Sequence, residues 1–246
     1  AEIGATSSTP RLYPHLYAKY NLVKEVIIPY AGINGGLQRN NLRSLSEVNP
    51  FIWPSLVTLK NTDETFRLYG GFRGSVSKKI SYNLEAARYQ QRNAPIYVNY
   101  NASQYNPGLT RFGQNYFVVN YATLGVFEMN GELMYRVGEK LQIVGTGTYR
   151  SYIQTTSEIM AWQRPTVLSS LTGFYQIQNK IIVKGQAHII AGQWAKSYQS
   201  THWTNSGEEP VNKEFGIDSK LNTPIYGIKI APIIDINIGM EYRYTE

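Results

Sequence analysis

The chain has 246 residues, enough for one large all-β domain or two small ones; it carries no cysteine and a formal net charge of +7. Without cysteine there is no disulfide framework and no thiolate metal site. Lys and Arg are dispersed singly among Tyr, Asn and Gln, with no basic patch, which argues against nucleic acid as a partner.

Charged residues make up 17%, below the roughly 25% of an average soluble chain, whereas aromatics reach 13% with 20 Tyr. Tyr and Trp accumulate where one end of a side chain is apolar and the other wet. No run of about 18 apolar residues is present to form a transmembrane helix. A spanning β-strand needs only about 10 residues, alternate ones facing lipid, so a chain this polar still suits a barrel wall. The segment Ala1 to Pro10 lacks the basic start and apolar core of a signal peptide.

In chain order, strand-like Leu12 to Leu22 leads to a short charged turn, Val23-Lys24-Glu25. Further short turns are predicted at Ser77-Lys78-Lys79, Gly138-Glu139-Lys140, Gln178-Asn179-Lys180 and an Ala231-Pro232 corner. Between them lie longer polar, aromatic or Pro/Gly-containing stretches: Asn34 to Thr65, Gln91 to Asn115, Ser151 to Pro165 and Ala195 to Asn222. Short turns at one end and long loops at the other is the asymmetry of outer-membrane barrels.

The strands alternate with period two. From Phe127 one phase reads Phe127, Met129, Gly131, Leu133, Tyr135 and the other Glu128, Asn130, Glu132, Met134, Arg136. The pattern recurs in Leu141 to Arg150, Val167 to Ile177 and Ile181 to Ile189. It is clearest where Ile234, Ile236, Ile238, Met240, Tyr242 and Tyr244 alternate with Asp235, Asn237, Gly239, Glu241 and Arg243. A soluble barrel also alternates. Long strands, tyrosines at the end of the apolar phase and mixed charges on the other phase favour a membrane wall. The expectation is therefore an all-β, transmembrane antiparallel up-and-down β-barrel, one domain over residues 1–246, with about ten strands belonging to a larger barrel. The lumen-facing residues would be Glu128, Glu132, Arg136, Lys184, His188, Asp235, Glu241 and Arg243; the membrane-interface aromatics would be Tyr135, Tyr149, Tyr175, Tyr242 and Tyr244. Trp53, Trp162, Trp194 and Trp203 suit the same interfacial girdle.

Particular strings carry a family resemblance: Tyr13 to Asn40 (YPHLYAKYNLVKEVIIPYAGINGGLQRN), Asn49-Pro50-Phe51, Gly131 to Ile143 (GELMYRVGEKLQI), Ala161 to Pro165 (AWQRP) and Asn179 to Lys184 (NKIIVK). In this order they resemble the barrel half of Bacteroidota outer-membrane proteins labelled TonB-dependent-receptor-like. The resemblance implies an outer-membrane barrel with strands before residue 1 and after residue 246. Its implied surroundings are outer-membrane lipid and lipopolysaccharide, with outer-membrane or periplasmic protein partners.

A search for chemistry returns little. The histidines, His15, His188 and His202, lack the spacing that places two imidazoles on one metal, so no metal or cofactor is expected. Ser169 and Ser170 precede His188 by one strand, without a nucleophile signature such as G-x-S-x-G. Three functions remain: a pore or transporter/receptor for small polar solutes, a non-transporting structural or assembly barrel, and a rim-located barrel hydrolase. The first is favoured, as a protein without enzymatic activity.

Overall fold

A computed structural model describes residues 12–99, 116–138, 140–154, 160–177, 181–198 and 225–242. The segments Glu139, 178–180, 199–224 and 243–246 lie outside it, and with them the expectations placed on Asn179, His202, Trp203, Arg243 and Tyr244; so does Tyr105.

The strands are β1 (His15–Lys19), β2 (Ile28–Gln38), β3 (Thr62–Ser77), β4 (Ile80–Asn99), β5 (Phe117–Val137), β6 (Leu141–Gln154), β7 (Val167–Ile177), β8 (Ile181–Ala191), β9 (Trp194–Tyr198), β10 (Ile225–Lys229) and β11 (Ile233–Tyr242). Nine form one antiparallel sheet in the order β1-β2-β3-β4-β5-β6-β7-β8-β11, open at both edges, and β9 pairs with β10. From β1 to β8 neighbouring strands are sequence neighbours, the meander that short turns dictate, and β11 closes the row beside β8. Between β2 and β3 lie a short helix, α1 (Leu42–Val48), capped by Asn41, whose side chain accepts from Ser44 N, and a single 3-10 turn over Pro54–Leu56.

One expected turn is not a turn. Ala231-Pro232 falls between β10 and β11, yet the chain continues downward there. β10 is the antiparallel partner of β9, β11 is the antiparallel partner of β8, and Ile230 N donates to Gln193 O between the two ladders. β8 with β9, and β10 with β11, are therefore two long arms of one hairpin with a shared break, so nine strands cross the sheet where about ten are expected. The break is built by Pro232, which cannot donate to a ladder, and by Gly192 at φ +73, where a Cβ would strike Thr166 Oγ1.

Strand lengths explain how the molecule is layered. β5 has 21 residues and β4 has 20, which at roughly 3.3 Å per residue is about 70 Å. A membrane's apolar band, about 25 Å, uses less than half of that. One register shift, at Ser75/Ser77, sits beside the β3–β4 turn, and three more, at Asn34/Gly36, Glu64/Phe66 and Gln91/Ala94, fall toward the long-loop end. Bulges of this kind concentrate at barrel rims. In the last of them Asn93 takes φ 52, a left-handed position Asn tolerates, and Thr62 Oγ1 donates to its carbonyl at 2.9 Å.

Above these bulges both faces of the β4–β5 tip are covered. Ala94, Ile96, Ala122 and Leu124 pack against Trp162, whereas Tyr97 and Val119 pack against Leu45 of α1 and Ile52. Asn49 Nδ2 donates to Gln163 Oε1 at 2.9 Å and so ties the two covering segments together. Trp162 is 1% exposed and cannot reach a membrane interface. That corrects its expected place in a girdle: a large ring in a loop is apolar enough to seed a cluster of its own. The Trp53 ring lies tilted against Tyr116 with centroids 4.8 Å apart, and Trp194 is half-buried against the Trp162 cluster.

Candidate functional site

In an antiparallel ladder, directly paired residues project to the same side. Chaining the registers Ala87↔Glu128↔Arg150, then Asn83↔Glu132↔Thr146↔Ser170↔His188↔Asp235, draws one face across six strands. Lys184 pairs with Gly239, Glu241 with Ile182 and Arg136 with Gln142 on that same face. Seven of the eight expected lumen residues therefore share one side, Arg243 lying outside the described residues. The opposite side carries exposed Phe72, Leu84, Met129, Leu133, Leu171 and Ile236.

Proximity on a face is not contact, and of the seven only Glu128 is buried. It is 4% exposed. Its Oε1 accepts from Arg67 Nη2 and Asn130 Nδ2, both at 2.9 Å, and its Oε2 from Arg150 Nε at 2.7 Å and Tyr89 Oη at 2.9 Å. Arg67 also holds Glu85 at 2.9 Å and lies over the Tyr89 ring, 5.0 Å from its centroid. The chain of bonds runs on through Tyr30, which donates to Asn83 at 2.8 Å and Glu85 at 3.2 Å, and through Thr148, which donates to Asn130 at 2.8 Å. Gly71 makes room for this, since a Cβ there would lie 2.8 Å from Tyr30 Oη. With every oxygen of Glu128 saturated, the group holds strands β3 to β6 together; it has no free lone-pair direction for acid–base work.

Arg67, Glu85, Tyr89 and Arg150 were not among the expected site residues. The signal was present: Phe66, Leu68 and Phe72 alternate with Arg67, Tyr69 and Arg73 as cleanly as the strands further on. Glu132, Arg136, Asp235 and Glu241 are exposed, and Arg136 reaches Gln142 Oε1 at 3.5 Å. Lys184 sits over the Phe174 ring at 5.5 Å.

The registers also set Ser170, His188 and Asp235 side by side on three strands. Ser170 Oγ bonds Thr146 Oγ1 at 2.6 Å and Asp235 accepts from Asn237 at 2.8 Å, while His188 makes no hydrogen bond among the described residues. A nucleophile needs its base within hydrogen-bond reach and donors for an oxyanion. Here the base is unengaged and the backbone N–H groups are committed to the ladders, so the row is not assembled as a hydrolytic relay.

Of the expected interface aromatics, Tyr135 and Tyr175 each stand two residues from a turn end on the exposed apolar face, and Tyr242 pairs with Ile181 at the same level. Tyr149 shares their face but pairs with Met129, six residues along β5 from Tyr135 or about 20 Å. The set is split between two levels.

A two-faced antiparallel meander with short turns at one end, a covered β4–β5 tip at the other and an ionic row on one side has the form of a β-barrel wall. Among solved structures the chain is similar to the FpvAI–pyocin S2 complex, at 13% identity over 97% of this chain and 28% of that one, with a TM-score of 0.56. It is similar also to the ferripyoverdine receptor of the outer membrane of Pseudomonas aeruginosa bound to ferripyoverdine, at 14% identity, 95% and 27% coverage and a TM-score of 0.55. A third likeness is to the pyoverdine outer-membrane receptor FpvA of Pseudomonas aeruginosa PAO1, at 14% identity, 95% and 30% coverage and a TM-score of 0.54. At such identities the likeness shows the fold. The chain spans less than a third of the length of these receptors. No family model and no curated protein matches it.

Proposed function

We propose that this chain is part of the wall of a TonB-dependent-receptor-like barrel in the outer membrane of a Bacteroidota bacterium, where it serves as pore or receptor/transporter for small polar solutes. One observation carries the reading: registers that gather Arg67, Glu85, Glu128 and Arg150 on one face leave exposed apolar side chains over most of the other, with Arg88 set among them toward the long-loop end between Leu68 and Phe127. The apolar face meets lipid and lipopolysaccharide; the ionic face lines the interior. Replacing Leu133, 55% exposed on the apolar face, with Arg is expected to cost roughly 2–4 kcal/mol in reversible unfolding from lipid vesicles if it sits near the midplane. Thr146→Arg, on the other face, is expected to cost far less. Equal costs would reverse the assignment of faces.

The short turns then lie in the periplasm and the long loops outside the cell. In full-length protein on intact cells, a Ser55→Cys variant in the loop before β3 should label with an impermeant maleimide, and Lys78→Cys in the β3–β4 turn should label only after lysis. Labelling of Lys78→Cys alone on intact cells would invert the topology.

A sealed, non-transporting barrel is the second reading, favoured by the saturation of Glu128, which fills space that a pore would leave open. Conductance of the full-length protein in a planar bilayer separates the two.

A further inference from the structure

Above the ionic row lies a cavity of about 380 Å³, walled by Tyr89, Gln91, Tyr97, Arg150, Tyr152 and Arg164. Its size falls within the roughly 300–1,000 Å³ of small-molecule sites. It belongs to the ionic side of the sheet, since Tyr89 and Arg150 both bond Glu128 there, and its upper rim comes from α1 and from Gln163 to Pro165.

Arg164 is the unusual member. Its Nε and Nη2 both donate to Pro95 O, at 3.2 and 3.1 Å, and its Nη1 donates to Gln91 Oε1 at 3.2 Å. All are neutral acceptors. Among the described residues no carboxylate forms an ion pair with it; Glu128 is taken by Arg150 at 2.7 Å, and Glu64 is engaged by Gln91 Nε2 at 3.3 Å. Burial and the neighbouring Arg150 press the Arg164 pKa below the ordinary guanidinium value, while the surrounding tyrosines oppose this. A guanidinium stays charged nonetheless, and a part-buried cation held only by neutral dipoles gains from an anion, because charge-assisted bonds are roughly twice as strong as neutral ones.

The tyrosines complete the site. Tyr97 Oη donates to Leu45 O at 3.2 Å and Tyr152 Oη to Pro165 O at 3.0 Å, which fixes the rings as walls and commits their O–H donors to backbone carbonyls, leaving an anion to the guanidinium. Rings around a cation suit a ligand with an apolar body and a charged end. We propose that this cavity binds the carboxylate or phosphate of a small soluble solute, with Arg164 as its cation. The inference rests on the receptor reading above and narrows it to anionic solutes entering from the long-loop end.

The test uses the full-length protein in detergent, with benzoate and inorganic phosphate as soluble probes and phosphatidic acid in mixed micelles as the lipid source of the same chemistry. Isothermal titration should show a soluble probe binding, with affinity at least tenfold weaker in Arg164→Gln. Gln163→Glu keeps the acceptor for Asn49 and sets a fixed carboxylate in the cavity wall; it should weaken binding by a similar factor while near-UV circular dichroism stays unchanged. Arg43→Gln, on the exposed side of α1, should bind as the parent does. Unchanged affinity in Gln163→Glu, no binding of either soluble probe, or binding of phosphatidic acid alone would each overturn the proposal. Conductance or uptake of neutral solutes by the same preparation would then leave the receptor reading standing, whereas a silent barrel would remove both.

Discussion

Replacing Glu128 with alanine is expected to cost about 3–5 kcal/mol, more than any other single polar change in the sheet. The carboxylate joins Arg67 and Arg150 from two different strands and takes bonds from Tyr89 and Asn130 as well. Its removal leaves two part-buried guanidinium groups side by side, Arg150 without its counter-charge and Arg67 with Glu85 alone, and leaves two neutral donors unmet. Loss of the pair's attraction is the smaller part of this cost. The larger is the penalty for charges whose desolvation nothing offsets. Glu132→Ala, four residues along the same strand and exposed, is expected to change stability by no more than about 0.5 kcal/mol. Urea-induced unfolding from lipid vesicles, followed by tyrosine and tryptophan fluorescence, would measure both. The double change Glu128→Leu with Arg150→Met, which keeps the Arg67–Glu85 pair, should recover much of the loss, since apolar groups of similar volume need no counter-charge. Equal effects at positions 128 and 132 would mean that the network contributes nothing beyond ordinary surface polarity.

The second large effect is expected at Trp162, whose ring is 1% exposed among Ala94, Ile96, Ala122 and Leu124. Trp162→Ala should cost roughly 3–5 kcal/mol, the combined loss of transferred apolar area and of a cavity that the surrounding strands cannot close. Its signature differs from that of the Glu128 change. The ring holds the segment before β7 against the β4–β5 tip, above the apolar band, so the loss should fall first on local order. Gln163 N, Arg164 N and Thr166 N donate to Trp194 O, Ala161 O and Ala191 O. Hydrogen exchange at these amides should accelerate before exchange in β5 and β6 does. Uniform acceleration over the whole sheet would show that the tip and the wall unfold as one unit.

Alternation within Phe127 to Arg136 and Ile234 to Glu241 was enough to assign strands, faces and an antiparallel meander, because a side-chain period of two follows from strand geometry alone. The charged turns at Lys24 and Lys78 were equally legible, since local chemistry determines where a chain reverses. What a single strand cannot contain is its register against the next. Glu132 and Glu128 look alike in sequence, yet only Glu128 falls between Ala87 and Arg150, within reach of Arg67 across β4. Trp162 looked like an interfacial ring until residues from β4 and β5 were seen to enclose it. Ala231-Pro232 looked like a reversal because proline marks turns and breaks alike; only pairing of β11 with β8 and β10 with β9 distinguishes the two. The Arg164 cavity is likewise assembled from β4, β6, α1 and a loop, residues far apart in the chain. Period and turn chemistry act over a few bonds and are written locally, whereas charge pairing and burial depend on which distant residue arrives at about 3 Å, and that is decided when the strands are laid side by side.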